Sequence, residues 1–157
     1  MSPNPPGTTV SSSRRQPRDL LQEIGRDLVE ACPQGWFRID LRASVAVTTD
    51  WMALTVLMPD HSSPPVDPPL SVGRTLRELR ELMYVEGRGT WFSLRYTVDP
   101  PAEFHVVYNH DFDPKWSPDL TAREWALDLE HFPRDPEHVP GWLRDKLPTD
   151  DPAGAGY

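Results

Sequence analysis

Apolar and polar positions follow two rhythms along this chain, one helical and one alternating. Over residues 19–32, Leu20, Leu21, Ile24, Leu28 and Cys32 share a stripe, with Arg18, Glu23, Arg26 and Glu30 off it. That spacing predicts an amphipathic helix, stopped by Pro33 and Gly35. Residues 36–48 then alternate without a break. Phe37, Ile39, Leu41, Ala43, Val45 and Val47 take one face, and Trp36, Arg38, Asp40, Arg42, Ser44 and Thr48 the other. This is a long strand with one dry side. In residues 51–58, Met52, Leu54, Val56 and Met58 share a parity. A two-residue turn at Thr49-Asp50 would set Val47 opposite Met52, Val45 opposite Leu54 and Ala43 opposite Val56, so that the dry faces coincide.

Residues 59–69 hold five prolines and read as an exposed connection. A second helix is predicted over 71–85, with Leu76, Leu79, Leu82 and Met83 inward and Gly87 past its end. Arg74, Arg77 and Arg80 lie beside Glu78 and Glu81 in the pattern of a solvated face. A second strand pair follows over 91–98 and 103–109. Matching of faces sets Tyr96 opposite Phe104 and Leu94 opposite Val106. Asp99-Pro100-Pro101-Ala102 is a poor tight turn, because proline cannot take the positive φ such turns use, and a wider loop is expected. The next helix starts from Thr121 with Glu124 three residues on, the spacing of a reciprocal capping box. Leu120 and Trp125 are placed to close a hydrophobic staple across that cap. This helix runs to about His131, and a short one follows near 139–147.

The elements come in the order α-β-β-α-β-β-α-α. That order predicts an α+β fold, an antiparallel sheet of about four strands with helices packed on one face. One domain is expected over residues 18–147, between a disordered tail at 1–17 and a second tail at 148–157. The other sheet face would carry Trp36, Trp51 and Trp91 with Arg38, Arg42 and Arg95. Three tryptophans on a wet face call for a cover, either a terminal helix or a partner.

The 157 residues suit a single domain with its own core. One cysteine, Cys32, excludes an internal disulfide and fits a reducing compartment, so a cytoplasmic protein is expected. No apolar run reaches the roughly 20 residues of a membrane span, and the first residues lack the apolar core of a secretory signal. Charge is divided unevenly. Residues 1–98 hold 11 acidic and 11 basic side chains, whereas residues 99–157 hold 13 acidic and 5 basic, so the net charge of −8 lies wholly in the second part. Nucleic acid is a poor ligand for such a surface, and a basic protein a good one.

Few residues have the spacing that chemistry requires. There is no H-E-x-x-H, paired-cysteine or phosphate-loop pattern and no nucleophile elbow. His110 with Asp111 and Asp113 comes nearest to a metal set. A calcium loop opening at Asp111 fails, because Lys115 and Trp116 occupy positions that need an oxygen ligand and a glycine. Cys32 sits on the apolar stripe at a helix C-terminus, where a thiolate is disfavoured. The expectation is a non-enzyme without metal or cofactor. The acidic stretch instead offers a docking surface, Asp111, Asp113, Trp116, Asp128 and Glu130, with Tyr108 and Phe112 structural. The competing reading of that loop has Trp116 in the core and the carboxylates merely solvated.

The C-terminal third also resembles a known family. Tyr108-Asn109, the run Asp128-Leu129-Glu130-x-Phe132-Pro133-Arg134 and the closing Pro140-x-Trp142-Leu143 resemble YezG-type immunity proteins of bacterial toxin systems. They are similar also to small immunity-like domains beside actinobacterial NAD-glycohydrolase toxins. The resemblance covers residues 104–147 and, loosely, the order of the earlier elements. It implies a cytosolic antitoxin, monomer or weak dimer, that sterically blocks a cognate toxin, nuclease or NAD-consuming. A nuclease suits the acidic stretch best, since its substrate cleft must be basic. Two other classes stay open. One is a small-molecule-binding or enzymatic domain with a pocket near His105, Tyr96 and Arg95. The other is an adaptor or chaperone of a secreted effector.

Overall fold

The computed structural model describes residues 15–149, so most of both predicted tails lies outside the described residues. Helix α1 spans Pro17–Ala31. Pro17 occupies its first turn, where the missing N–H costs nothing, and the Asp19 carboxylate accepts from the Gln16 N–H at 2.9 Å. Leu20, Ile24 and Leu28 are fully buried, as their spacing predicts. Strands β1 (Arg38–Val45), β2 (Asp50–Leu57), β3 (Ser93–Asp99) and β4 (Glu103–Asn109) form one antiparallel sheet in the order β2-β1-β3-β4. Helix α2 spans Leu70–Leu82, α3 Ala122–His131 and α4 Gly141–Lys146, with a 3-10 turn at Pro136–His138 before the last. The predicted α+β class and element order are those of the structure. None of these helices is long and apolar enough to cross a membrane.

Side-chain parity follows the sequence, but register does not. Val45 pairs with Asp50 rather than with Leu54, whose partner is Leu41. The Ala46 N–H donates to Thr49 O at 2.8 Å, so the chain reverses over Val47 and Thr48, two residues early. The reason is tertiary: the Val47 N–H donates to the Asp128 carboxylate at 2.8 Å and cannot continue the ladder. In the second hairpin Val98 pairs with Phe104, Tyr96 with Val106 and Leu94 with Tyr108. Asp99 pairs with Glu103, so the reversal takes only residues 100–102 and is tighter than expected. Both slips move partners by an even number of residues and keep the dry faces together.

Ile39, Leu41, Ala43, Val45, Leu94, Tyr96 and Val98 form the floor of the main core, under α1 and α2. Phe37 and Val47 leave the dry face at the strand ends and are exposed, at 55% and 40%. Leu82 is also exposed, because α2 ends there. Trp91, expected on the wet face, is fully buried, and Trp36 packs against the core. Only Trp51 stands on the outer face, 48% exposed. A second cluster lies at the end of the sheet, where Ala46, Phe92, Leu120, Trp125 and Leu143 pack with Trp116 and Trp142. Leu120 and Trp125 meet in this cluster, and Thr121 and Glu124 cap α3 reciprocally as their spacing predicts.

Arg80 joins the two clusters. It is 2% exposed rather than part of a solvated edge. Its guanidinium forms a two-pronged ion pair with Asp128, at 2.6 and 2.8 Å, and its Nε donates to Trp91 O at 2.7 Å. The plane stacks 4.7 Å from the Phe132 ring centre. Removing one member of such a pair leaves a buried charge unmatched, at a cost of about 3–5 kcal/mol. Asp128→Ala should therefore lose about 3–5 kcal/mol in urea unfolding, and Asp128→Leu combined with Arg80→Met should recover most of it. A loss below about 1 kcal/mol would show that the pair is not the tie between the clusters.

Candidate functional site

The loop from β4 to α3, residues 109–120, is the most elaborately held irregular segment of the fold. Asn109 organises its start. Its side-chain oxygen accepts from the Phe112 N–H at 2.9 Å and from the Asp111 N–H at 3.3 Å. Its amide nitrogen donates to Phe112 O at 2.8 Å and to Ser93 Oγ at 3.1 Å. This is the turn that Asn favours at a strand exit. Asp113 Oδ1 accepts from the Lys115 N–H at 2.8 Å, and Lys115 takes the left-handed conformation, φ 57°. Three side chains from α4 and the segment before it pin the loop. Trp142 Nε1 donates to Asp111 O at 2.7 Å, Arg134 Nη2 to His110 O at 3.0 Å, and Lys146 bridges Asp113 and Asp119.

Arg134 is the clamp on this side. It also donates to Thr90 O and His138 O, and its plane lies 4.5 Å from the Phe92 ring centre. Burial holds its pKa below the usual arginine value, while Asp111 acts to raise it. Close approach here requires Gly89, with φ 88°, since a Cβ at that position would strike the Arg134 side chain. Arg134, Trp142 and Leu143 belong to the motifs quoted above. Their positions show what the residues do locally: they hold the 109–120 loop and its cluster.

The loop's geometry exchanges the roles of two aromatics. Trp116 is half-buried against the second cluster and does not project as an anchor. Phe112, expected to be structural, is 75% exposed at the loop tip. The turn made by Asn109, which points the intervening residues outward, was the available sequence signal for this. Asp111 is exposed beside Phe112, and its carboxylate makes no hydrogen bond among the described residues. Asp113 is partly buried and shares Lys146. Glu130 is exposed on α3. Asp128 is not available to any partner. It is 5% exposed, and Arg80 and the Val47 N–H occupy its carboxylate, so the expected five-residue docking set loses this member.

Two hollows flank these elements. A cleft of about 520 Å³ next to the loop is lined by Met83, Arg88, His110, Asp111, Arg134 and His138, among others. A groove of about 450 Å³ between α1 and β4 is lined by Val29, Tyr96, Val98 and Phe104. It reaches Tyr96, as one reading of the sequence expects, but Arg95 and His105 lie on the opposite sheet face. For metals, the sequence singles out His110, Asp111 and Asp113. The structure instead gathers Asp135, Glu137 and His138, whose ligand atoms lie within 4.8 Å of one another at the surface. A comparison with known protein families finds no family model that matches the chain, and no curated protein matches it.

Acid should loosen this frame. The Glu124 carboxyl is held below its usual range by the Thr121 N–H and the Thr48 hydroxyl. Burial acts to raise the Asp119 carboxyl, but Lys146 and the Leu120 N–H outweigh it and bring it below its usual range. A depressed folded-state pKa contributes stability above the unfolded pKa, and that stability is lost as pH falls through the folded value. Melting temperature should therefore stay level at neutral pH and fall below about pH 4. The acid-induced loss should be smaller in Glu124→Gln, since that variant no longer titrates there. An equal loss in the variant and the parent would remove Glu124 from this account.

Proposed function

We propose that this chain is a protein-docking module of the immunity type. It occupies a basic cleft of a cognate toxin, a nuclease by preference, and blocks it sterically in the cytoplasm. The observation that carries the reading is Phe112. It is a large aromatic, 75% exposed, on a tip whose backbone is fastened from both sides. An exposed aromatic on a loose loop loses binding energy to ordering, whereas a pre-organised one does not. Such anchors dominate protein interfaces and sit in pockets of the partner. Asp111 beside it, with the acidic excess of residues 99–157, favours a basic rim around that pocket. Phe112 is not part of the neighbouring cleft's lining, so its projecting ring suits insertion into a concave partner.

The test is co-expression with a toxin candidate taken from the genes beside this one, followed by binding kinetics of the purified pair. Phe112→Ala should abolish protection and speed dissociation by about 2 kcal/mol or more, with the melting temperature unchanged. Asp111→Lys should slow association most at low salt, where charges act unscreened over about 30 Å at 0.01 M. Trp116→Ala should instead lower stability by about 3 kcal/mol, because the ring packs in the second cluster. Wild-type protection and kinetics in both loop variants would sink the docking assignment. Failure of the parent chain to protect at all would sink the immunity reading.

A further inference from the structure

The two edges of the sheet are built differently. Beside β2, the Met58 N–H donates to Ser62 O at 2.9 Å and Ser63 Oγ donates to Val56 O at 3.0 Å. The proline-rich connection that follows guards this edge against further pairing. Among the described residues, no comparable guard stands beside β4. Its sequence, Glu-Phe-His-Val-Val-Tyr-Asn, has no proline or glycine. Among the described residues, the backbone hydrogen bonds of its centre run only to β3. The helix layer also stops short of it. Phe104 lines the groove beside α1, Phe104, Val106 and Tyr108 are all only half-buried, and Val107 on the outer side is 68% exposed. An unguarded edge with an apolar residue on both faces is a template for another strand.

We infer that β4 pairs antiparallel with β4 of a second copy of this chain, about a two-fold axis at Val106. The reason for a second copy, rather than a foreign strand, is self-complementarity. With the axis at Val106, all seven residues of the strand find partners. Phe104 falls opposite Tyr108, His105 opposite Val107 and Glu103 opposite Asn109. Dry side chains meet dry ones, as pairing in register demands, and an aromatic faces an aromatic on each side of the axis. No like charges oppose each other. An axis at His105 would shorten the ladder and set that histidine against its own copy. Each protomer would present the same patch to the other, which is the closed arrangement of a two-fold dimer. The ladder uses the backbone near Val106 and leaves the Phe112 tip free, so this inference goes beyond the docking role and stands apart from it.

Sedimentation equilibrium on the full chain, from low micromolar to millimolar concentration, tests the pairing together with amide hydrogen exchange. The mass should rise from one chain to two, and alternate β4 amides should exchange more slowly as concentration increases. Val107→Lys, altering a side chain that points to solvent in the single chain, should weaken association roughly tenfold, since it spoils two cross-strand pairs. Its melting temperature at low concentration should match the parent. A single-chain mass throughout would overturn the inference. So would a dimer whose β4 amides exchange at one rate at every concentration, since its contact lies elsewhere. If Val107→Lys proves unstable, the exchange pattern of the parent chain still decides between these results.

Discussion

The buried pairing of Arg80 with Asp128 is the interaction on which the arrangement of the other parts depends. Two charges taken out of water need nearly complete hydrogen bonding, and these two have it. The guanidinium serves both carboxylate oxygens and the Trp91 carbonyl, and the carboxylate also takes the Val47 N–H. One pair thus ties α2 to α3, ends β1 at the point where the chain reverses, and fixes the approach to β3. The Thr90 hydroxyl returns to the Arg80 carbonyl and closes the same junction from the other side. The main core under α1 and α2 and the smaller cluster under α3 and α4 are held in register by this contact.

The 109–120 loop inherits its rigidity from that junction. Phe92, immediately after the anchored Trp91, supplies the ring on which Arg134 lies, and Arg134 then reaches the loop's backbone. Trp142 and Lys146 fasten it from α4. Much of the acidic charge in the C-terminal third is absorbed by this construction. Asp128, Asp119 and Asp113 each have a basic partner, and Glu124 caps a helix. The acidic groups left facing water next to the aromatic tip are therefore fewer than the composition suggests. The proposed docking role rests on their placement more than on their number.

Local pattern carried the element order, the inward face of every strand and the capping of α3. Those features depend on neighbours close in sequence, where periodicity and capping chemistry operate. The lack of proline in β4 was legible, although the strand order that puts it at an edge was not. That the helices fall short of it was not, because the width of a helix layer over a sheet is a property of packing.

Register and the roles of single charged or aromatic residues came only from the tertiary structure. A shift of partners by an even number preserves parity, so no alternation of apolar residues separates Val45 opposite Leu54 from Val45 opposite Asp50. A hydrogen bond from Val47 to a carboxylate 81 positions away made that choice. Arg80 and Asp128 each look solvated beside their sequence neighbours, and each is buried only because the other is present. Phe112 and Trp116 are equally apolar on paper. Which one packs and which one projects followed from where Asn109 bends the chain and where α4 lies, and neither ring determines that alone.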